Sequence, residues 1–163
     1  MSKPNMMLLI VMSVLIVAGQ AGADDRPPGT LDQLLGTWEW TTATGGFAGG
    51  VYGPDDWGYT SQLLFLADGT VAEFRDETPY AQSTFVLTGE VPGATLGAQP
   101  STPSVTPFGD CGPYLLTFGE EGGVATMYLQ TQSCADWYDF TFTRRGPVPN
   151  TSTSWSGIKS LYR

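Results

Sequence analysis

Near one end of the chain, Tyr138, Phe140 and Phe142 alternate with Asp139, Thr141 and Thr143; near the other, Gly36, Trp38 and Trp40 alternate with Thr37, Glu39 and Thr41. Successive side chains of a strand point to opposite faces, so each run has one large apolar face and one polar face. A two-residue period is the mark of a half-buried strand and not of an amphipathic helix. Further short runs with strand character cover 59–66, 71–75, 80–88, 114–118 and 124–131. Turn chemistry separates them: Ala67-Asp68-Gly69-Thr70, Asp76-Glu77-Thr78-Pro79 and Glu120-Glu121-Gly122-Gly123. An Asp-Gly step suits a tight hairpin. The pattern predicts an all-β fold, and its hairpin-scale connections favour an up-and-down antiparallel β-barrel over a Greek-key sandwich.

Two stretches break the rhythm. Residues 44–58 are rich in glycine and carry Phe47, Tyr52 and Trp57, which reads as a long mobile connection. Residues 89–112 are interrupted by Pro92, Pro100, Pro103 and Pro107, with a short edge strand expected over 105–108. One helical turn is expected over 31–35, just before the first strand.

The ends are read separately. Residues 1–23 combine Lys3, an apolar run and Ala21-Gly22-Ala23, the makeup of a secretory signal peptide. Residues 24–30 form an exposed leader, 31–145 the β domain, and 146–163 a stiff polar linker with a short C-terminal helix. In that helix Ser154 is a cap and Trp155, Ile158 and Tyr162 share a face; it either packs on the outside of the barrel or serves as a docking tail. Asn150-Thr151-Ser152 matches a glycosylation sequon. An exported protein is secreted or periplasmic, and in such an oxidising compartment Cys111 and Cys134 are most simply a disulfide.

Charge and composition narrow the chemistry. The formal net charge is −9, and cleavage after Ala23 makes it one unit more negative. Such a surface repels nucleic acid and anionic lipid, and no membrane span is expected once the signal is removed. Histidine is absent, which removes the usual general base and the usual zinc and iron ligands. The acidic pairs Asp55-Asp56, Asp76-Glu77 and Glu120-Glu121 fall in turns and match no calcium loop. No Gly-x-Ser-x-Gly is present, and the glycine-rich stretch lacks the Gly-Lys-Ser/Thr ending of a phosphate cradle. The expectation is therefore a non-enzymatic protein with no cofactor and no metal.

Several of these residues together resemble the small secreted bacterial lipocalin-like proteins. They are Gly36-Thr37-Trp38-Glu39-Trp40, the Gly-Gly segment, Tyr59-Thr60 before Leu63-x-Phe65, Asp68-Gly69-Thr70-Val71, and Cys134 followed by Tyr138-x-Phe140-x-Phe142-x-Arg144. The resemblance covers about residues 31–145. It implies a closed barrel of about eight strands with a central cavity. It also implies that Gly36 and Trp38 close one end and that Arg144 lies across the Trp38 ring, with Arg145 as the adjacent alternative. The candidate ligand-binding residues are Trp40, Phe65, Phe85, Tyr128 and Phe140, expected to point inward, and Phe47, Tyr52 and Trp57 on the glycine-rich flap. The leading expectation is a binding protein for a small apolar molecule. The alternative is a barrel filled by its own side chains, working as an interaction module through its loops or tail.

Overall fold

The computed structural model describes residues 29–109, 113–132 and 137–146. The expected signal peptide, most of the expected leader, Cys111 and Cys134 with their expected disulfide, and all but the first residue of the expected C-terminal linker and helix lie outside the described residues.

Nine strands and two short helices are described: α1 (Thr30–Leu34), β1 (Gly36–Gly45), β2 (Gly50–Tyr52), α2 (Pro54–Trp57), β3 (Ser61–Phe65), β4 (Thr70–Arg75), β5 (Thr78–Thr88), β6 (Thr95–Ala98), β7 (Tyr114–Glu121), β8 (Val124–Gln130) and β9 (Tyr138–Arg144). The fold is all-β. Every described pairing is antiparallel, and from β3 to β9 each strand pairs with the next in sequence. β1 then joins the two ends, pairing β3 along one edge and β9 along the other, so that eight strands form a ring. β2 is an extra: it takes the part of β1 that β3 leaves free, Ala43 to Gly45.

β1 is long enough for this because it carries a bulge. Its pairing with β9 shifts between Trp40 and Thr42, and the extra residue, Thr41, turns its hydroxyl to the Thr141 carbonyl at 3.0 Å. The bulge changes which residues face inward, from Gly36, Trp38 and Trp40 before it to Ala43 after it. β1 and β9 can then stay paired up to Gly45, where a side chain would meet the Trp137 carbonyl oxygen at 2.5 Å. The glycine-rich stretch is thus not the loose connection expected of it. It folds as a β1–β2 hairpin followed by α2, whose first turn is capped by the Asp56 carboxylate accepting from Gly53 N–H at 2.7 Å.

The expected strand over 105–108 is also absent. The ring's strand in this region is the four-residue β6. Residues 99–109 instead fold over one end of the ring and sink Val105 and Phe108 into its core. Pro103 and Pro107 have no N–H for a ladder, which favours this inward-folded loop over a strand.

The two ends of the ring differ. At the closed end lie α1 and the turns after β3, β5 and β7. At the loop end lie the β1–β2 hairpin, α2, the β4–β5 turn and residues 99–109. Between them the ring is filled. Leu63, Phe65, Leu116, Met127, Leu129 and Phe142 are all buried to within 1%, so side chains occupy the space where a lipocalin-like cavity was expected.

The β4–β5 turn offers a clean test of local strain. Arg75 pairs with Thr78, and both intervening residues have positive φ, Asp76 at 47° and Glu77 at 62°. This is the geometry of a two-residue hairpin turn that glycine adopts without cost. Asp76 has a compensating role, since its carboxylate accepts from the Thr60 amide at 2.9 Å and from its hydroxyl at 3.1 Å. Glu77 is exposed. Glu77→Gly is expected to stabilise the protein by about 1 kcal/mol in urea denaturation; a loss of stability would show that the glutamate side chain has a role of its own.

Candidate functional site

The loop end is organised by a buried acid. β4 alternates Val71, Glu73 and Arg75 on its inner face. Glu73 is fully buried, which for a carboxylate requires partners. One of its oxygens accepts from Arg75 Nε at 2.8 Å and from the Ser61 hydroxyl at 3.2 Å. The other accepts from the Thr106 amide at 2.7 Å. Arg75 also donates to the Thr106 hydroxyl at 3.0 Å. Its guanidinium lies between two rings, 4.2 Å from the Tyr59 centroid and 3.6 Å from that of Tyr80. Tyr80 is available for this because β5 is bulged there: Phe74 pairs with Pro79 and Glu73 with Ala81. Burial alone would lower the Arg75 pKa, but its hydrogen bond and charge contact with Glu73 outweigh that and hold it above the ordinary value. Burial raises that of Tyr59, against the opposing pull of Arg75. The network pins residues 99–109 across the end of the ring.

Beside that pinned loop opens a cleft of about 490 Å³. One wall is the loop itself, Pro103 to Pro107. The opposite wall is aromatic: Trp57 from α2, Trp137 just before β9, and Tyr138 and Phe140 from the start of β9. Arg75 and Tyr80 close its side. The rings brace one another edge to face, Trp57 with Tyr138 at 5.7 Å and with Phe140 at 6.0 Å. Such contacts hold the wall in shape before anything binds.

The residues proposed from sequence are not all gathered here. Trp57 and Phe140 line the cleft. Trp40 lies one layer beneath, 3% exposed, with its ring 4.6 Å from that of Trp57. Tyr52 stands edge-on to Tyr138 at 5.6 Å, behind the wall. Phe65 and Phe85 pack on each other at 5.4 Å within the filled interior. Phe47 is 94% exposed at the tip of the β1–β2 hairpin. Tyr128 does not point inward: it sits between Met127 and Leu129, which do, and so faces outward, its hydroxyl donating to Glu121 at 2.6 Å. The cleft also uses Arg75, Tyr80, Trp137 and Tyr138, which the sequence reading did not select. The one available signal was Glu73, an acid on the apolar face of a strand.

The closed end has a different character. Trp38 is buried and donates from its indole nitrogen to the Leu34 carbonyl at 2.7 Å. Arg144 lies over its ring at 4.7 Å and donates to the Gln33 carbonyl, tying β9 to α1. Burial lowers the Arg144 pKa. Arg145 turns the other way and pairs with Glu39 on the outer surface at 2.6 Å. Arg144→Ala is expected to cost about 1–2 kcal/mol, from lost cation–π contact and a lost bond to a carbonyl. Arg145→Ala is expected to cost less than about 0.5 kcal/mol, as for an exposed ion pair. Equal losses in thermal denaturation would contradict the division of roles.

Among the described residues no group of three or more histidine, cysteine, aspartate or glutamate side chains is placed to hold a metal ion, and no helix is long and apolar enough to cross a membrane. No family model, no curated protein and no solved structure matches the chain.

Proposed function

We propose that the protein is an extracytoplasmic, non-catalytic binding protein for a small, flat, largely apolar molecule, and that it binds this molecule in the loop-end cleft rather than inside the ring. The observation that carries the reading is the contrast between a ring filled by side chains and an open cleft walled by Trp57, Trp137, Tyr138 and Phe140. Apolar clefts with a few fixed polar groups are the usual form of a small-molecule site. Arg75 is the fixed polar group. A guanidinium has five donors, and its contacts with Glu73 and Thr106 use two, so the side of the cleft favours an acceptor or anionic group on the ligand. The resemblance to lipocalin-like proteins agrees with a binding role, with the site moved from the interior to the mouth.

Titration with anilinonaphthalene sulfonate, an aromatic anion, tests the proposal. Saturable binding is expected, weakened about tenfold by Trp57→Ala through lost ring contact and unchanged by Phe47→Ala. Absence of saturable binding, or equal loss in both variants, would refute it. A second reading has one observation in its favour. Phe47 and Val51 are 94% and 69% exposed on the β1–β2 hairpin, an apolar tip suited to contact with a protein partner. A protein that bound no small molecule but lost a partner on Phe47→Asp would support that reading.

A further inference from the structure

Arg75 is held so that one end of its guanidinium is left over. Both faces of the planar group are covered, by Tyr59 at 4.2 Å and by Tyr80 at 3.6 Å. One edge is covered as well. Nε donates to a Glu73 oxygen at 2.8 Å and Nη2 to the Thr106 hydroxyl at 3.0 Å. Glu73 and Thr106 are themselves joined, the Thr106 amide donating to the other Glu73 oxygen at 2.7 Å. Together they close over the edge that Nε and Nη2 share. Three N–H groups remain, both on Nη1 and the second on Nη2. One from each nitrogen points out along the end of the guanidinium, parallel to the other. The side chain is still 24% exposed and lines the cleft. With two faces and one edge covered, that exposure falls mainly on this end.

A pair of parallel N–H groups selects by shape. It matches the two oxygens of a carboxylate, each accepting one hydrogen bond in the guanidinium plane. A neutral amide offers one oxygen and sets its own N–H against the second donor. The surroundings select by charge in the same sense. Among the described residues no aspartate or glutamate lines the cleft, and both oxygens of the buried Glu73 already accept hydrogen bonds. The other described cations, Arg144 and Arg145, lie at the closed end. The stacking and the ion pair also hold the guanidinium in place before a ligand arrives, so little side-chain freedom is lost on binding.

We infer that the ligand of the cleft is an aromatic or conjugated carboxylic acid, its carboxylate seated on the free Nη1–Nη2 end of Arg75 and its flat body against Trp57, Trp137, Tyr138 and Phe140. The inference rests on the proposal that the cleft binds a small flat molecule, and goes beyond it in naming the polar head. Calorimetric titration of the protein with 2-naphthoate and with its neutral isostere 2-naphthamide tests it. Saturable binding of both is expected, with 2-naphthoate about tenfold tighter. In Arg75→Lys, which keeps a cation beside Glu73 but has no fork, that preference is expected to be lost. Nitrogen-15 resonance of the wild-type guanidinium gives a reading that needs no variant. On addition of 2-naphthoate the Nη signals of Arg75 should shift while Nε holds. Equal affinity for the two probes, a preference kept in Arg75→Lys, or silent Nη signals would overturn the carboxylate assignment and leave the cleft as a site. Failure of both probes to bind saturably would overturn the cleft reading itself, and this inference with it.

Discussion

Trp38→Ala is expected to be the most destabilising single substitution at the closed end, costing about 4 kcal/mol in denaturant unfolding. Three losses coincide there. A fully buried indole leaves a cavity among core residues. The Leu34 carbonyl loses the N–H that donates to it at 2.7 Å, and Arg144 loses the ring beneath its guanidinium. Trp38→Phe keeps an aromatic face while removing the donor, so it is expected to cost about 1–2 kcal/mol. If alanine cost less than phenylalanine is expected to, the closed end would not depend on this residue, and the tie between α1 and β9 would have to be sought elsewhere.

Glu73→Ala is expected to lower stability by about 3 kcal/mol and the melting temperature by roughly 10 °C. The acid itself is fully buried, but its partner Arg75 is 24% exposed and can recover some hydration, which places the loss at the lower end for a broken buried pair. The larger consequence is local. Without Glu73 the Thr106 amide has no carboxylate to receive its hydrogen bond, and Arg75 loses the anchor that holds it between Tyr59 and Tyr80. Residues 99–109 should then detach from the ring end, seen as faster amide exchange at Val105 and Thr106, and binding in the cleft should weaken along with it. Glu73→Gln retains one acceptor oxygen and should fall between the two. A variant that lost stability but kept slow exchange at Thr106 would show that the loop is held by Val105 and Phe108 burial alone.

These two sites show how far the sequence could be read. The amphipathic character of β1 was visible in Trp38 and Trp40 alternating with Thr37, Glu39 and Thr41, whereas the pairing of Trp38 with Arg144 was an implication of the resemblance. Nearest-neighbour strand order followed from the short turns, since a hairpin fixes which strands pair. Tyr128 was placed on the wrong face for a physical reason: in Thr126-Met127-Tyr128-Leu129 apolar bulk occupies both parities, so periodicity does not choose between faces. The bulge at Thr41 was likewise hidden, because an extra residue shows only against the partner strand. The cleft was hardest of all. One wall is a proline-rich loop with no period, held by hydrogen bonds from residues far away in sequence, and the other depends on α2 folding back over the ring. Trp57 was selected for its aromatic character, and its neighbours Tyr80, Trp137 and Tyr138 came together only in three dimensions.

The filled interior is the feature on which the functional account turns, because it moves the expected site from the centre of the ring to its mouth. The most direct measurement is a nuclear magnetic resonance titration of the tryptophan indole N–H groups and core methyls with anilinonaphthalene sulfonate. The account predicts saturable shifts at the indoles of Trp57 and Trp137, with the Trp38 indole and the methyls of Leu116, Met127 and Leu129 unmoved. Shifts at Trp38 and those methyls, with Trp57 silent, would mean that the ligand enters the ring and would contradict it.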